Sequence, residues 1–370
     1  MKKTIDIILP NLAIGGAEKA MLLLAEQFKV NNYSVRFIVR RLTEVGFQEH
    51  VKRDYKLINL NANRVRHFPL ALNNKYKTIQ KPDLIIASLW PLTFLTALTL
   101  KFTNTTIKVI CIEHGSLKYQ TNKKGKLHQL FLKWSLKLTL VFCDKFVCVS
   151  QGLKDEINEL TNYNKSKLIS IPNPIKLDNS GANSEILNGL EKQLKGHVFL
   201  SVGRLKKVKN IPLLLKAFKK VTEKTDATLL ILGDGPEFEA LKKLSVTLGI
   251  ECKVHFLGFI SDCKPYYKIA NTFVLSSESE GFGNVIVEAL AEGCTVVSTN
   301  CPYGPKEILD NGTYGYLAKV NNEEDLAKIM LKSITNPFPK KVSKERALYY
   351  KPSEIIKKYL HMIKVISKLL

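Results

Sequence analysis

The sequence lacks the features that mark secreted, zinc-binding and repeat proteins. Its seven cysteines are odd in number and never occur as Cys-x-x-Cys, which argues against a zinc ribbon and against a secreted disulfide framework. No internal repeat and no long low-complexity tract is present, so neither a solenoid nor a disordered chain is expected. Reduced, buried thiols in a cytoplasmic protein are the expected state of these cysteines.

Long hydrophobic runs are also missing, and only one segment approaches the length that a membrane-spanning helix requires. Residues 84–100 carry no charge, and this length is the lower limit for a membrane-spanning helix. Because Pro91 and several threonines interrupt it, the segment is predicted to be a buried strand, 84–88, followed by a core helix. Near the start of the chain, Asp6 and Pro10 make the apolar stretch too short for a signal peptide, so a strand is predicted there as well.

Acidic residues are scarce relative to basic ones. Asp and Glu number 33 against 56 Lys and Arg, which gives a formal net charge of +23. Such an excess implies an anionic partner, which is a nucleic acid, an acidic membrane surface or a phosphate-bearing substrate, although lysine-rich composition can also reflect a genome's base composition. No zinc spacing, RNP-type aromatic motif or helix-turn-helix signature is present, so no nucleic-acid partner is expected.

Short apolar runs alternate with helical patterns, and this alternation predicts parallel, doubly wound sheets. A chain of 370 residues accommodates roughly two domains of about 150 residues each. A helical pattern over 17–30 separates the first two predicted strands. The predicted strands cover residues 5–9, 35–39, 84–87, 108–112, 145–149, 198–202, 228–232, 254–257, 271–275 and 295–298.

Two prolines break this alternation at Ile171-Pro-Asn-Pro174, because neither donates a backbone hydrogen bond and both disfavour helix before them. A turn-rich segment, 179–183, follows. We therefore place an N-terminal domain at 1–175 and a C-terminal domain at 176–350. The last segment, 351–370, has apolar residues at helical spacing and lysines opposite them, which predicts an amphipathic helix.

Three motifs directly follow predicted strands, where ligands bind in open α/β sheets. The first is Asn11-Leu-Ala-Ile-Gly-Gly-Ala-Glu18, in which Gly15 and Gly16 allow close backbone approach and a helix start offers free N–H groups to an anion. It matches neither a dinucleotide fingerprint nor a Walker loop. A tight turn without a ligand is the alternative.

The second motif is Val202-Gly-Arg-Leu-Lys-Lys-Val-Lys-Asn210. Arg204 can hold a phosphate with its planar fork, and Lys209 adds a point charge five residues later. Fixed cations of this kind lower the barrier when a nucleoside diphosphate leaves. Lys206 and Lys207 are expected to be solvated, and a purely structural role for Arg204 and Lys209 is the alternative.

The third motif, residues 277–290, is Ser-Glu-Ser-Glu-Gly-Phe-Gly-Asn-Val-Ile-Val-Glu-Ala-Leu. Two glycines keep its first part out of regular helix, and Asn284 is expected to be the N-cap of a helix that follows. Glu280 would then lie on a loop and Glu288 in the early helix, with free N–H groups between them for a phosphate. This arrangement suits hydrogen bonding to sugar and ribose hydroxyls, and a charged helix cap is the alternative.

Taken in order, these motifs resemble those of the GT-B retaining glycosyltransferases of family 4. The resemblance rests on Gly-Gly-Ala-Glu near the start, Gly-Arg-x4-Lys-Asn in the middle and Glu-x7-Glu from 280 to 288, and it spans nearly the whole chain. It implies an α/β chain of two Rossmann-like, doubly wound domains facing a cleft, with the C-terminal helix packing back on the N-terminal domain. It also implies retention of the anomeric configuration, no divalent metal and no cofactor.

The resemblance assigns roles to single residues. Arg204 and Lys209 would bind the donor diphosphate, Glu280 would contact the transferred sugar and Glu288 would hold the ribose. In this family a histidine follows a mid-domain strand near the reacting carbon, and His114 matches that position. It would position the donor sugar, so the catalytic set is His114, Glu280, Arg204 and Lys209, whereas a structural histidine is the alternative. Further donor-binding residues implied by the resemblance are Gly15, Gly16, Phe282, Gly283 and Asn284.

One position departs from the family pattern, and one loop narrows the expected reaction. Many family members carry proline at the position of Gly283. Glycine there would loosen the loop without removing its N–H groups. The loop from Asn300 to Ile308 resembles a segment of bacterial members that build surface polysaccharides. The expected reaction is transfer of a hexose or N-acetylhexosamine from a UDP-sugar to a saccharide or lipid-linked saccharide, in the synthesis of cell-surface polysaccharide or lipopolysaccharide.

A basic stretch between His114 and Cys143 contains six lysines and no acidic residue. Apolar residues recur within it at helical spacing, and a basic amphipathic helix of this kind suits an anionic membrane surface. We therefore expect a cytoplasmic enzyme, peripheral on the inner face of the membrane, and a core-facing helix with solvated lysines is the alternative. The expected membrane-docking residues are Lys123, Lys124, Lys126, Lys133, Trp134 and Lys137.

Two other functions share this architecture and stay open. A sugar-nucleotide 2-epimerase would need no acceptor, whereas the pairing of Glu280 and Glu288 with Arg204 favours transfer. A non-catalytic sugar-nucleotide-binding protein would bind the donor without turnover. The donor sugar, the acceptor, the linkage and the oligomeric state do not follow from the sequence.

Overall fold

The computed structural model describes residues 2–44, 46–103, 106–121, 125–163, 165–177 and 194–368. It divides into two compact units. The first unit comprises Met1–Pro174 together with Pro352–Leu370, and the second unit comprises Ile175–Lys351.

The first unit is built on a seven-stranded sheet in which every strand pair is parallel, in the order β3-β2-β1-β4-β5-β6-β7. The strands are β1 (Thr4–Leu9), β2 (Ser34–Val39), β3 (Lys56–Asn59), β4 (Leu84–Ser88), β5 (Lys108–Glu113), β6 (Lys145–Cys148) and β7 (Leu168–Ser170). The helices are α1 (Gly16–Val30), α2 (Gln48–Asp54), α3 (Phe68–Thr78), α4 (Leu92–Phe102), α5 (Leu117–Thr121), α6 (Lys126–Phe142), α7 (Gln151–Thr161) and α15 (Pro352–Lys368).

The second unit repeats this plan with a six-stranded parallel sheet in the order β10-β9-β8-β11-β12-β13. Its strands are β8 (His197–Val202), β9 (Ala227–Leu232), β10 (Val254–Gly258), β11 (Thr272–Leu275), β12 (Thr295–Thr299) and β13 (Tyr316–Ala318). Its helices are α8 (Ile211–Thr222), α9 (Phe238–Thr247), α10 (Lys264–Ile269), α11 (Asn284–Glu292), α12 (Pro305–Ile308), α13 (Glu323–Thr335) and α14 (Lys340–Leu348).

Burial explains why these segments form strands. The central strands are rich in Val, Ile and Leu and are buried along their length, as parallel strands covered by helices on both faces must be. All ten predicted strands are present, so the predicted fold of two doubly wound α/β domains is confirmed. Because all strands within a sheet are parallel, the loops after them lie at one edge of that sheet.

The uncharged segment 84–100 does form a strand and a core helix, β4 and α4. Among the described residues no helix has both the length and the apolarity that a bilayer crossing requires. The C-terminal amphipathic pattern forms α15, which packs in the first unit against α1. Tyr359 of α15 makes an edge-to-face contact with Phe28 of α1, with ring centroids 6.3 Å apart.

A buried ion pair joins the neighbouring strands β1 and β2 of the first unit. Asp6 on β1 is fully buried, and Arg36 on β2 donates to its two carboxylate oxygens at 2.6 and 2.9 Å. The Tyr76 hydroxyl donates to the same carboxylate at 3.0 Å. Burial raises the pKa of Asp6, and the Arg36 guanidinium opposes that rise.

We expect Arg36→Ala to destabilise the first unit by about 3–5 kcal/mol, because it leaves the Asp6 charge buried without a counter-charge. Both tryptophans of the chain, Trp90 and Trp134, lie in this unit, so urea unfolding followed by tryptophan fluorescence reports on it. The control is Arg53→Ala, whose exposed pair with Asp54 should leave the midpoint unchanged. Equal midpoints for the two variants would contradict the prediction.

Candidate active site

The second unit brings two of the predicted residues into direct contact. Lys209 lies in a 3₁₀ turn after β8, and Glu280 lies in the loop after β11. Their Nζ and Oε1 atoms are 2.6 Å apart, and the Ser277 hydroxyl donates to the same oxygen at 2.6 Å. Both charged side chains are largely buried, at 22% and 11% exposure. Each therefore fixes the position of the other at the carboxyl edge of the sheet.

Backbone contacts hold the two loops together around this pair. The Glu278 N–H donates to the Val208 carbonyl at 2.8 Å, and the Ser276 hydroxyl donates to the Lys209 carbonyl at 2.8 Å. The loop that carries the cation and the loop that carries the carboxylate consequently form one rigid layer.

Arg204 lies after β8 with an exposed side chain and does not join the contact between Lys209 and Glu280. Lys206, which the sequence predicts to be merely solvated, belongs to the same group of cations. Burial lowers the pKa of Lys206, and the charges of Arg204 and Lys209 lower it further. Three cations thus lie together after one strand, and their combined charge would attract an anion.

Glu288 lies in α11, where the Tyr267 hydroxyl donates to its Oε2 atom at 3.2 Å. The prediction that Asn284 is the N-cap of this helix is wrong. Gly283 occupies the N-cap position with a left-handed backbone (φ 99°), and Asn284 is the first helical residue. The left-handed conformation suits glycine and excludes proline, whose φ is fixed near −65°.

A second loop supports the glutamate loop from behind. The Glu280 N–H donates to the Pro302 carbonyl at 3.3 Å. Gly304 has a left-handed backbone (φ 89°), and a Cβ atom there would overlap the Phe282 carbonyl. The buried Phe282 ring packs edge-to-face on Tyr350, with centroids 5.5 Å apart. The segment from Asn300 to Ile308 therefore helps to fix the position of the loop that carries Glu280.

In the first unit, Gly15 and Gly16 lie at the start of α1, as predicted. The Glu18 carboxylate folds back over Gly15, where a Cβ atom would overlap it. Burial raises the pKa of Glu18. The absence of a side chain at Gly15 therefore leaves space that the Glu18 carboxylate already occupies.

His114 follows β5 at the carboxyl edge of the first sheet, and both of its ring nitrogens are buried without a well-aligned hydrogen bond. Burial lowers the pKa of His114 to about 4, and the Asn173 side chain opposes that shift weakly. The ring is consequently neutral near pH 7. A neutral imidazole in a fixed position can donate or accept a hydrogen bond with a ligand. It carries no charge that would repel a cation.

Glu113, directly before His114, is a buried residue to which the sequence analysis assigns no role. Its carboxylate accepts the backbone N–H groups of Trp90 at 2.9 Å and of His114 at 3.1 Å. Burial raises the pKa of Glu113 to about 7, the N–H groups of Trp90, His114 and Gly115 oppose the rise, and the Glu156 charge adds to it. One carboxylate therefore ties the loop after β4 to the loop after β5.

Known proteins resemble this chain in both sequence and fold. The model for Glycosyltransferase Family 4 matches residues 14–179, and the model for Glycosyl transferases group 1 matches residues 183–351. An uncharacterized glycosyltransferase of Haemophilus influenzae is 29% identical over 348 residues, which are 91% of this chain and 92% of that one. The chain is a GT-B glycosyltransferase of the family 4 and group 1 type.

Two further comparisons concern a relative in sequence and a solved structure of similar fold. The Campylobacter jejuni N-acetylgalactosamine-N,N'-diacetylbacillosaminyl-diphospho-undecaprenol 4-alpha-N-acetylgalactosaminyltransferase is 32% identical over 224 residues, 60% of each chain. The crystal structure of Anabaena Alr3699/HepE with UDP and glucose has a TM-score of 0.82 at 18% identity, covering 98% of this chain and 100% of that one. The second likeness concerns the fold alone.

The basic helix α6 of the glycosyltransferase has two different faces. One packs into the first unit through Leu132, Ser135, Leu136, Thr139 and Leu140. The other exposes large apolar side chains, with Leu127 84%, Leu130 62% and Trp134 53% exposed. Lys126, Lys133 and Lys137 are exposed beside them, whereas Lys123 and Lys124 lie outside the described residues. The apolar stripe seen in the sequence therefore does not face the core.

We expect the unfolding free energy of the wild type to fall by about 3 kcal/mol relative to Glu113→Gln as the pH rises from 4.5 to 7. The sign follows because the folded state, with the higher pKa, binds the proton that the unfolded state has lost in this window. Tryptophan-monitored urea unfolding at several pH values measures it. Parallel pH curves for the two proteins would refute the shifted titration.

Proposed function

We propose that this enzyme transfers a hexose or N-acetylhexosamine from a UDP-sugar to a saccharide or lipid-linked saccharide, with retention, in the synthesis of cell-surface polysaccharide or lipopolysaccharide. The observation that carries the proposal is the buried contact between Lys209 and Glu280 at the carboxyl edge of the second sheet. A cation and a carboxylate held side by side match the two ends of a nucleotide-sugar, the diphosphate and the sugar hydroxyls.

The cations supply the chemistry that a leaving diphosphate requires. Arg204 and Lys209 would bind the diphosphate, with the charge of Lys206 adding to the local potential. They stabilise the negative charge that develops as the bond between the anomeric carbon and the diphosphate breaks. Fixed cations of the chain can serve this purpose without a divalent metal or a cofactor, and we propose that they do.

The carboxylates would orient the rest of the donor. Glu280, already oriented by Lys209 and Ser277, would accept hydrogen bonds from hydroxyls of the transferred sugar. Glu288, which Tyr267 orients, would hold the ribose. The N-terminus of α11 lies between them in sequence, and its N–H groups would add donors to the phosphate. Phe282, Gly283 and Asn284 would contribute through the backbone.

His114 would position the donor sugar from the first unit. Because burial keeps the ring neutral, it can donate or accept one hydrogen bond without adding charge beside the reacting carbon. Retention would follow when the acceptor hydroxyl attacks on the face from which the diphosphate leaves. The acceptor proton then passes to the departing phosphate oxygen, so no separate carboxylate nucleophile is required.

We expect both Glu280→Gln and Arg204→Gln to lower turnover by about 10²-fold or more, because each removes an interaction with the developing charge or the transferred sugar. The assay screens UDP-, GDP- and ADP-sugars for nucleotide release with a membrane lipid extract, with and without EDTA. Glu239→Gln, an exposed site on α9, is the control and should retain full activity. EDTA should have no effect.

Three outcomes of this screen would change the conclusion. Turnover without any extract, with conversion of the sugar itself, would identify an epimerase. Binding of a nucleotide-sugar without turnover would identify a binding protein. Turnover that both substitutions leave untouched would remove Glu280 and Arg204 from the active site.

The exposed face of α6 supports a further part of the proposal, namely that the enzyme docks on the cytoplasmic face of an anionic membrane. Leucine and tryptophan side chains insert into the interface, and each nearby lysine adds roughly 1 kcal/mol of attraction to anionic lipid. Phe94 packs edge-to-face on Trp134, with centroids 5.7 Å apart, which holds that ring at the surface. A lipid-linked acceptor would be reached from this position.

We expect Leu127→Ser/Leu130→Ser to weaken co-sedimentation with phosphatidylglycerol vesicles at least about fivefold, because both side chains would otherwise be buried in the lipid. Val30→Ser/Val246→Ser removes two comparably exposed apolar side chains elsewhere and should bind as the wild type does. High salt should weaken the binding of all three proteins. A wild type that ignores the vesicles at low salt would end this part of the proposal.

A further inference from the structure

Arginine is rare in this chain, and its distribution is uneven. Only eight of the 56 basic residues are arginines. Four of the eight, Arg40, Arg41, Arg64 and Arg66, lie on the two loops that follow β2 and β3. These strands pair in parallel, so both loops leave the sheet at the same edge as Gly15 and His114 do.

Arg40 ties the two loops together. Its Nη1 atom donates to the carbonyls of Ala62 at 2.7 Å and of Asn63 at 2.9 Å, and the Ala62 N–H donates back to the Arg40 carbonyl at 2.9 Å. Arg41 and Arg64 are the residues that directly adjoin these contacts. The buried Arg40 guanidinium therefore holds the loops after β2 and β3 together as one platform. Arg41 and Arg64 lie on this platform beside it.

The charges on this platform have no counter-ion within the described part of the chain. Arg41, Arg64 and Arg66 are exposed, and no described carboxylate forms an ion pair with any of the four arginines. Residues 55–82 contain neither Asp nor Glu. Burial lowers the pKa of Arg40, and the charge of Arg41 lowers it further, as expected for adjacent like charges.

A guanidinium presents a rigid fork that matches two oxygens of a phosphate, which a lysine ammonium does not. We propose that the loops after β2 and β3 bind a phosphate or diphosphate group of the acceptor, so that the acceptor is an anionic glycoside. This inference rests on the proposed transferase function. With strands about 4.8 Å apart, β2 and His114 are separated by three spacings, or roughly 14 Å. The phosphate would therefore lie away from the hydroxyl that reacts.

The binding test uses protein saturated with UDP, so that the donor site is filled, and titrates it with decyl diphosphate, inorganic pyrophosphate and neutral decyl maltoside. Decyl diphosphate should bind, and Arg64→Gln/Arg66→Gln should weaken its binding at least about tenfold. Lys77→Gln/Lys81→Gln removes the same charge from exposed sites before the amino end of β4 and should change nothing. Equal losses for pyrophosphate would show that the phosphates alone are recognised, and a loss confined to decyl diphosphate would show that the lipid-linked form is the ligand.

The transfer test separates this proposal from the proposed function. Wild type and Arg64→Gln/Arg66→Gln should release nucleotide equally without an acceptor, and the variant should show a raised KM for a lipid-diphosphate saccharide only. Equal binding of decyl diphosphate by both proteins would overturn the inference while leaving transfer intact. So would a loss of binding to phosphatidylglycerol vesicles without loss of decyl diphosphate binding, which would assign the arginines to lipid headgroups. An absence of transfer by wild type, with decyl diphosphate still bound, would overturn the proposed function instead.

Discussion

Parallel pairing of every strand is the constraint on which the chemistry of this protein depends. In the second unit it places the loops after β8 and β11 at one edge, where Lys209 and Glu280 meet although 71 positions separate them in sequence. Antiparallel pairing would send alternate loops to opposite edges and leave the two residues on different sides of the sheet. A parallel sheet is buried on both faces, so its strands must be apolar along their length. The strands of this chain are rich in Val, Ile and Leu and satisfy this requirement.

Buried carboxylates organise the first unit, and their partners determine what each one does. Asp6 has a full counter-charge in Arg36, so it acts as a fixed part of the core. Glu113 and Glu156 instead accept hydrogen bonds from uncharged groups: backbone N–H donors for the first, and the Ser116 hydroxyl with two backbone N–H donors for the second. Neutral donors compensate a charge less completely than an ion pair does. Burial raises the pKa of Glu113 to about 7, and its backbone N–H donors only partly oppose that rise, at the sheet edge that carries His114.

The sequence predicts most of the strands and misses short ones that carry few apolar residues. β3 and β7 are short and only partly buried, so neither shows the apolar run that reveals a strand. The exact start of α11 does not follow from the sequence either, because Asn284 has the better N-cap side chain but the left-handed Gly283 takes the position. Glu113 carries no motif of its own, and its importance depends on the loop after β4 that folds against it. The two faces of α6 both look apolar in sequence, and only the fold decides which one is covered.

The positive charges of the enzyme come from lysine and arginine, and the two side chains suit different interactions. Lysine ammonium groups are strongly hydrated and geometrically undemanding, which suits a diffuse attraction to an anionic surface such as that expected at α6. Arginines are few, and several make specific directed contacts. Arg36 grips a buried carboxylate, Arg40 joins two loops, and Arg346 donates to the carbonyls of Glu307 and Ile308. A chain so sparing of arginine nevertheless leaves Arg41, Arg64 and Arg66 exposed and without an ion pair among the described residues. A general excess of lysine does not explain this concentration of forked cations at the edge of the first sheet, where Gly15 and His114 also lie.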